Sequence, residues 1–258
     1  MDFSEERLEQ IMAKATEKAL KKILPELAAL LEERLLSRDT PLFMPAIGLK
    51  KQAFQETLEY IREHMPSAMV FTRREEIINY ALEKAPADGL YLECGVASGR
   101  TINMLAGLRP NKIIYGFDSF EGLPEDWSGT KATKRAFSTG GRLPQVKDNV
   151  RLIKGLFQDT LPEFAAKHPG ENLAFLHCYA SLYSSTRCIL INFKEMIGPG
   201  TVILFENFFN YPNWREHEFK AFEEFFSAGK IGFRFIALAT TQAALIIESI
   251  NGGNSEIP

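Results

Sequence analysis

The chain has 258 residues with 30 basic and 33 acidic side chains, a formal net charge of −3. This length and a composition of 45% hydrophobic and 24% charged residues predict one large globular domain, with or without an appendage. The charge argues against nucleic-acid binding through a broad basic surface, and no apolar run reaches the ~18–20 residues that a membrane span needs. Three cysteines without a CxxC pair predict neither a disulfide framework nor a zinc site. The acidic, amphipathic start is unlike a signal peptide, so we expect a cytoplasmic protein.

Residues 4–38 predict a helix, because apolar side chains recur every three or four residues from Leu8 to Leu35. Pro25 lies inside this run and is expected to kink or split it. Acidic and basic side chains nearly balance, which favours a solvated face opposite a packing face over a lipid-binding helix. We therefore predict that residues 1–60 form a helical extension that packs on the remaining domain or on a second subunit, giving a homodimer or higher oligomer.

From about residue 50 the pattern alternates between helix and strand, with helices expected at 50–64 and 72–85. Short apolar runs predict strands at 89–93, 112–118, 150–154, 173–177, 201–205, 233–238 and 243–247. Because these runs are continuous rather than alternating, we predict a mostly parallel sheet covered by helices on both faces. The last two strands are separated by a link too short for a parallel crossover and must be antiparallel. This α/β domain should span residues 61–250, followed by a disordered tail at 251–258.

The segment ECGVASGRT, residues 93–101, follows the first of these strands and opens a helix. Ligands of such sheets bind at the carboxyl ends of strands, where Gly95 and Gly99 would let the backbone approach a ligand. The helix start near Thr101 favours a carboxylate, whereas Glu93 suits a cation and would repel a pyrophosphate. The GxxxG spacing also disfavours an NAD site, which uses GxGxxG. The combination favours S-adenosylmethionine; the alternative is a plain tight turn with a helix-packing glycine.

Two further strand ends carry residues suited to a nucleoside. Asp118 ends the second strand, 25 residues after Glu93, where an acid accepts hydrogen bonds from ribose hydroxyls. It could instead cap the next segment, a role that Ser119 could share. After the third strand, Gly155 would let an adenine ring approach the backbone beside Phe157 or Gln158. Three strand ends with suitable residues in this order predict a nucleoside site.

Five long segments make the sequence resemble the macrocin O-methyltransferase family, class I S-adenosylmethionine-dependent enzymes that methylate hydroxyls. The segments are YLECGVASGRT (91–101), IYGFDSFEGLPEDW (114–127), VRLIKGLFQDTLPEF (150–164), LHCYASLYSST (176–186) and PGTVILFENFFNYPNWREHEFKAF (199–222). The resemblance implies a class I methyltransferase fold, Rossmann-like, with a seven-stranded, mostly parallel sheet and one antiparallel strand. It also implies S-adenosyl-L-methionine as cofactor and a small-molecule acceptor, a specialised metabolite or a sugar.

The resemblance further implies roles for individual residues. The residues that it assigns to the cofactor are Glu93, Gly95, Gly99 and Thr101 for the methionine part, Asp118 for the ribose, Phe157 and Gln158 for the adenine, and Ser119 and Tyr179 beside them. The segment 123–149 resembles a mobile loop that closes over the site. The aromatic segment 208–214 fits an acceptor-pocket wall, which the resemblance favours, or hydrophobic packing around a turn.

The sequence departs from the family where a divalent metal would bind. After the fourth strand Tyr179 and Ser181 replace two aspartates, and Glu206 and Asn207 stand where the family has two acids. Magnesium prefers carboxylate oxygens, and a tyrosine with a pKa near ~10 is neutral at pH 7. The sequence therefore predicts a weak or absent metal site, and we assign no metal ligand.

The reactive side chains that remain near this position are His177, Tyr179, Glu206 and His217. The leading hypothesis is a metal-independent O-methyl transfer in which a histidine or glutamate acts as general base. The alternative is a protein that keeps the cofactor pocket without methylating, as a repurposed catalyst such as a cyclase or as a regulatory binder.

Overall fold

The computed structural model describes residues 12, 14, 16–21, 23–29 and 44–250, and the chain divides into compact units at residues 1–51 and 52–258. In the first unit the described residues between 12 and 29 are helical and exposed, and the helix continues through Pro25. The rest of the predicted 4–38 helix and the 251–258 tail lie outside the described residues. The domain boundary at residue 60 and the packing role of the extension stay predictions. None of the described helices combines the length and apolarity needed to cross a membrane.

Helices and strands alternate from residue 45 to residue 250 as the apolar runs predict. The helices are α1 (Pro45–His64), α2 (Arg74–Lys84), α3 (Arg100–Leu108), α4 (Phe157–Lys167), α5 (Tyr183–Asn192) and α6 (Glu218–Gly229). The strands are β1 (Met69–Val70), β2 (Leu90–Cys94), β3 (Ile114–Asp118), β4 (Val150–Lys154), β5 (Leu173–Cys178), β6 (Val202–Phe205), β7 (Ile231–Leu238) and β8 (Ala243–Ile250). Every predicted strand is present.

The strands form one sheet in the order β1-β7-β8-β6-β5-β2-β3-β4. β8 pairs antiparallel with both β6 and β7, and the remaining pairs are parallel, so β8 is the predicted antiparallel strand. The eighth strand, absent from the seven-stranded prediction, is the two-residue β1, which is too short to give a periodic signal in the sequence. Chain order reverses between β2 and β5, which marks the switch point where ligands of such sheets bind.

Both faces of the sheet are covered, which explains the continuous apolar runs. All residues of β2, β5 and β6 are buried. Leu92 and Cys94 of β2 belong to one hydrophobic cluster, together with residues of α4, α5 and α6. Tyr91 belongs to a second cluster, with residues of α2 and α3. Alternate side chains of one strand therefore enter opposite cores, as the pleat of a strand requires.

Candidate active site

A cavity of about 660 Å³ opens at the carboxyl ends of β2, β3, β4 and β5, at the switch point of the sheet. Seven of the residues proposed from the sequence to hold a cofactor line it: Gly95, Thr101, Asp118, Ser119, Phe157, Gln158 and Tyr179. The other two, Glu93 and Gly99, do not line it, and neither do His177, Glu206 and His217.

The two glycines after β2 are required by packing within the protein. Gly95 has φ +103°, and a Cβ there would lie 2.0 Å from the carbonyl oxygen of Tyr179. Gly99 has φ +80°, and a Cβ there would lie 2.9 Å from the side chain of Pro144. L-residues with side chains rarely adopt such dihedrals. Gly95 thus allows the loops after β2 and β5 to meet beneath the cavity.

Asp118 at the end of β3 holds the loop that follows β2. Its Oδ2 accepts hydrogen bonds from the backbone N–H groups of Val96 at 2.8 Å and Ala97 at 2.7 Å. Its Oδ1 accepts one from the N–H of Phe120 at 2.7 Å. A carboxylate has about four acceptor positions, so three bonds leave capacity at the cavity for a further donor such as a ribose hydroxyl.

The carboxylate–histidine network of Glu93, His177 and Glu206 lies buried behind the cavity. Glu93 and His177 are register partners on the adjacent strands β2 and β5, which places their side chains together. His177 Nδ1 lies 2.9 Å from Glu93 Oε2, and Nε2 lies 2.9 Å from Glu206 Oε2. Within the described part of the chain, the other carboxylate oxygen of Glu93 has no hydrogen-bond partner.

The ionisation of this network follows from burial and pairing. Burial lowers the pKa of His177, but its hydrogen bonds to Glu206 and Glu93 outweigh that effect and raise the pKa to about 9. Burial raises the pKa of Glu93. Burial also raises that of Glu206, but the hydrogen bond and charge of His177 reverse the effect and hold its pKa below the ordinary value. His177 is therefore protonated at neutral pH and donates from one ring nitrogen to Glu93 and from the other to Glu206, so neither nitrogen is available to an acceptor.

Arg74, which the sequence does not single out, connects this network to the cavity. It begins α2 and lines the cavity, and its Nε lies 2.5 Å from Glu206 Oε1. Its Nη2 donates to Thr101 Oγ1 at 3.0 Å, and its guanidinium carbon lies 4.7 Å from the centre of the Tyr179 ring. In the sequence it belongs to the charged run RREE, which resembles an ordinary solvated helix start.

The residues at the position where the resemblance implies a metal do not fit a divalent cation. Glu206 supplies the carboxylate, but its two oxygens contact His177 and Arg74, and Gln242 Nε2 donates to Oε1 at 2.8 Å. Two cationic side chains therefore occupy the carboxylate that a metal would need, against the preference of magnesium for free oxygen ligands. Asn207 Nδ2 donates to Ser181 Oγ at 3.0 Å. Within the described residues, no group of three or more His, Cys, Asp or Glu side chains is arranged to hold a metal ion.

Glu218 is a second residue that the sequence does not reveal. It begins α6, is fully buried, and accepts the backbone N–H of Ser181 at 2.8 Å and that of Asn207 at 2.7 Å. It thereby ties together the loops after β5 and β6. Burial raises its pKa to about 8 despite these two hydrogen bonds. The one hint in the sequence is its place between the buried aromatic residues Trp214 and Phe219.

The segment 119–149 follows β3 and contains neither helix nor strand. We call this segment the 119–149 loop. It lines the cavity with Leu123, Glu125 and Trp127. Ser128 Oγ lies 3.1 Å from Nε2 of His217, and the Trp127 ring packs edge-on at 5.4 Å from that of Tyr211. Burial lowers the pKa of His217, which touches this loop rather than the cavity. The loop lines the cavity, and its mobility and its closing over the site stay predictions.

Three aromatic side chains of the segment 208–214 belong to the core and no residue of the segment lines the cavity, so its interpretation as a cavity wall is wrong. Phe208, Phe209 and Trp214 are at most 1% exposed, and none of them lines the cavity. Phe208 packs on Phe219 with ring centres 5.2 Å apart. These rings fill the space between α6 and the sheet, so packing around a turn is the correct interpretation.

Comparisons with known proteins agree with this architecture. Residues 92–208 match a family model described as a methyltransferase domain. The structure of CalS11, a calicheamicin methyltransferase, aligns with a TM-score of 0.55 and 20% identity over 83% of this chain and 95% of that chain. The O-methyltransferase NovP aligns with a TM-score of 0.54 and 20% identity over 68% of this chain and 79% of that chain. Among curated proteins no sequence matches significantly.

At these identities the structural likenesses show the fold. In this chain that fold is a mostly parallel sheet with one antiparallel strand and with helices on both faces. The protein has the class I methyltransferase fold, and its cavity lies among the residues that match the methyltransferase domain.

Proposed function

We propose that the protein is an S-adenosylmethionine-dependent O-methyltransferase that acts on a small-molecule hydroxyl. The observation that carries this proposal is the order of residues along the cavity: the Gly95 loop, then Asp118, then Phe157 with Gln158. The match to a methyltransferase domain and the fold shared with CalS11 and NovP support it. The resemblance to macrocin O-methyltransferases favours a specialised metabolite or a sugar as the acceptor.

The residues present fit this cofactor. Phe157 and Gln158 would hold the adenine, and the remaining acceptor position on Asp118 would take a ribose hydroxyl. The methionine part would lie over the loop after β2 and the start of α3. When bound, S-adenosylmethionine supplies an electrophilic methyl group. The protein then has to hold the acceptor oxygen in line with that group and remove its proton.

We propose Glu125 as the residue that takes this proton. Of the described carboxylates that line the cavity, Asp118 is engaged by three backbone N–H groups, which leaves Glu125. Glu125 lies on the 119–149 loop and accepts a hydrogen bond from Ser184 Oγ at 2.6 Å. Of the earlier candidates, His177 and Glu206 are occupied by each other, and Tyr179, whose pKa burial raises, serves better as a wall than as a base.

We also propose that the reaction needs no divalent metal, because cationic side chains occupy the Glu206 carboxylate. The second candidate function is cofactor binding without methylation. The observation that favours it is the same occupation of Glu206 by cationic side chains. A bound metal would lower the pKa of the acceptor hydroxyl, and without one the acceptor is harder to activate for methylation.

Calorimetric titration with S-adenosylhomocysteine and S-adenosylmethionine tests the proposal. We expect both ligands to bind with dissociation constants in the micromolar range, and equally well in EDTA and in millimolar magnesium. NAD⁺ is the control ligand and should give no heat. Absence of binding by both adenosyl ligands would contradict the proposal, and binding that EDTA abolishes would contradict its metal-independent part.

The same protein then separates the two functions. Incubation with S-adenosylmethionine and a panel of phenols, sugars and macrolides should release S-adenosylhomocysteine with at least one acceptor. Binding without release across the panel would favour the non-methylating alternative.

A further inference from the structure

Arg74 is placed to meet a ligand. Its side chain is 25% exposed and lines the cavity. The nearby Arg100 also lines the cavity, but its side chain is 79% exposed and pairs with Glu75 at 3.0 Å. A half-buried guanidinium is less hydrated than an exposed one and binds an anion more strongly.

The guanidinium is held in one orientation by groups from three other elements. Glu206 after β6 contacts its Nε, Thr101 of α3 accepts from Nη2, and the Tyr179 ring after β5 lies against its face. Glu206 is itself fixed by His177 and Gln242. A planar cation held in this way can bind a carboxylate without first losing side-chain freedom.

Arg74 also adjoins the start of α3. Its partner Thr101 lies in the first turn, and Gly99 at the N-cap offers no side-chain hydrogen bond to the helix. The N–H groups of a first helical turn carry partial positive charge and favour an anion. The guanidinium and the start of α3 therefore both favour a negatively charged group on a ligand.

The position of Arg74 along the sheet identifies which part of a ligand it meets. Its partners Tyr179 and Glu206 follow β5 and β6 and Thr101 follows β2, whereas Phe157 and Gln158 follow β4. Between β5 and β4 lie three strand spacings of ~4.8 Å, roughly 14 Å in all. An adenosine that carries an extended amino-acid chain spans this distance, with the adenine at β4 and the amino acid near β5.

We infer that Arg74 binds the carboxylate at the amino-acid end of S-adenosylmethionine. The inference rests on the proposed function and adds a cofactor-binding residue to it. The carboxylate–histidine network of Glu93, His177 and Glu206 acts on the ligand only through Arg74, by holding the guanidinium in place. These three residues are therefore positioning residues.

Ligands with and without the carboxylate test the inference. S-adenosylmethionine and its decarboxylated form are titrated into the wild-type protein and into Arg74→Met, which keeps an unbranched side chain but removes the charge. We expect Arg74→Met to weaken the binding of S-adenosylmethionine by ~10–100-fold, which is the effect of losing a hydrogen bond to a charged group. The dissociation constant of the decarboxylated ligand should change less than ~2-fold. Arg73→Met is the matched control, because Arg73 pairs with Glu76 on the surface, and it should leave both affinities unchanged.

The outcomes distinguish failure of the proposed function from failure of the role assigned to Arg74. If neither ligand binds the wild-type protein, the proposed function fails. If both bind but Arg74→Met weakens them equally, or weakens neither, the inference is overturned while the proposed function stands. Should Arg74→Met unfold, Arg74→Lys replaces it: a loss confined to S-adenosylmethionine supports the inference, and an equal loss for both ligands overturns it.

Discussion

His177 is the residue on which the buried charges of the site depend. It lies between Glu93 and Glu206, fully buried, and each ring nitrogen faces a carboxylate oxygen. Removing a cation from such a set leaves carboxylates in a medium that cannot solvate them. The network therefore constrains the fold as well as the orientation of Arg74.

Replacing His177 by glutamine tests this role. Glutamine cannot supply positive charge to either carboxylate, so we expect the free energy of unfolding to fall by about 3–5 kcal/mol. Denaturant unfolding at pH 7 measures the change. His64→Gln is the control, because His64 is exposed, and it should change stability by less than ~0.5 kcal/mol. A loss below ~1 kcal/mol for His177→Gln would show that the network contributes little.

At the scale of elements, the 119–149 loop lines the cavity and packs on the segment 211–217. Its contacts with the segment 211–217 include Ser128 with His217 and Trp127 with Tyr211. Gly129 lies at this contact with φ +78°, and a Cβ there would lie 2.0 Å from the carbonyl oxygen of Pro212. Backbone atoms approach too closely at this point for any side chain.

Two glycines of this loop form a matched pair for mutation. Gly129→Ala should displace the loop from 211–217, raise its rate of hydrogen exchange and weaken S-adenosylhomocysteine binding several-fold. Gly140→Ala has a similar φ of +66° but no atom within 4 Å of the added Cβ. It should therefore lower the free energy of unfolding only by the about 1–2 kcal/mol that a left-handed backbone costs a residue with a side chain. The hydrogen exchange of residues 123–130 should stay unchanged. Equal behaviour of the two variants would contradict the docking described here.

At the scale of the whole molecule, two buried groups make stability depend on pH in the same direction. The pKa of His177 rises from 6.5 to about 9 on folding. Its contribution to the stability of the folded state is therefore complete below pH 6.5 and is lost as the pH rises through 9. The pKa of Glu218 rises from 4.5 to about 8, so the folded state also binds the extra proton between these values. Both groups therefore favour the folded state at lower pH.

We expect the free energy of unfolding to fall between pH 6.5 and 9, with His177 accounting for roughly 3 kcal/mol. Urea unfolding across this range measures the slope. Glu218→Gln removes the second titration, so its profile should flatten between pH 5 and 6.5 and keep the fall above pH 7. A wild-type profile that is flat or rising between pH 6.5 and 9 would contradict the assigned pKa of His177.

The sequence alone established the class of fold and the region of the site. Nearly continuous apolar runs such as those of β2 and β5 are visible in a sequence because burial on both faces favours apolar residues at successive positions of a strand, with Glu93 and His177 as the exceptions here. Asp118, Phe157 and Gln158 could be located because parallel strands end at one edge, so residues that follow different strands meet there. The two-residue β1 was missed because a periodic pattern needs more residues than it has.

The tertiary structure decided which side chains face the cavity. Glu93 and His177 lie in β2 and β5, the strands that lining residues such as Gly95 and Tyr179 follow, but their register places them in the interior, paired with each other. Arg74 and Glu218 come from charged helix starts that resemble solvated surface, and only packing brings them to the cavity and beneath its loops. Local sequence determines strands and turns through short-range sterics and burial, whereas the pairing of buried charges depends on contacts between residues far apart in the chain.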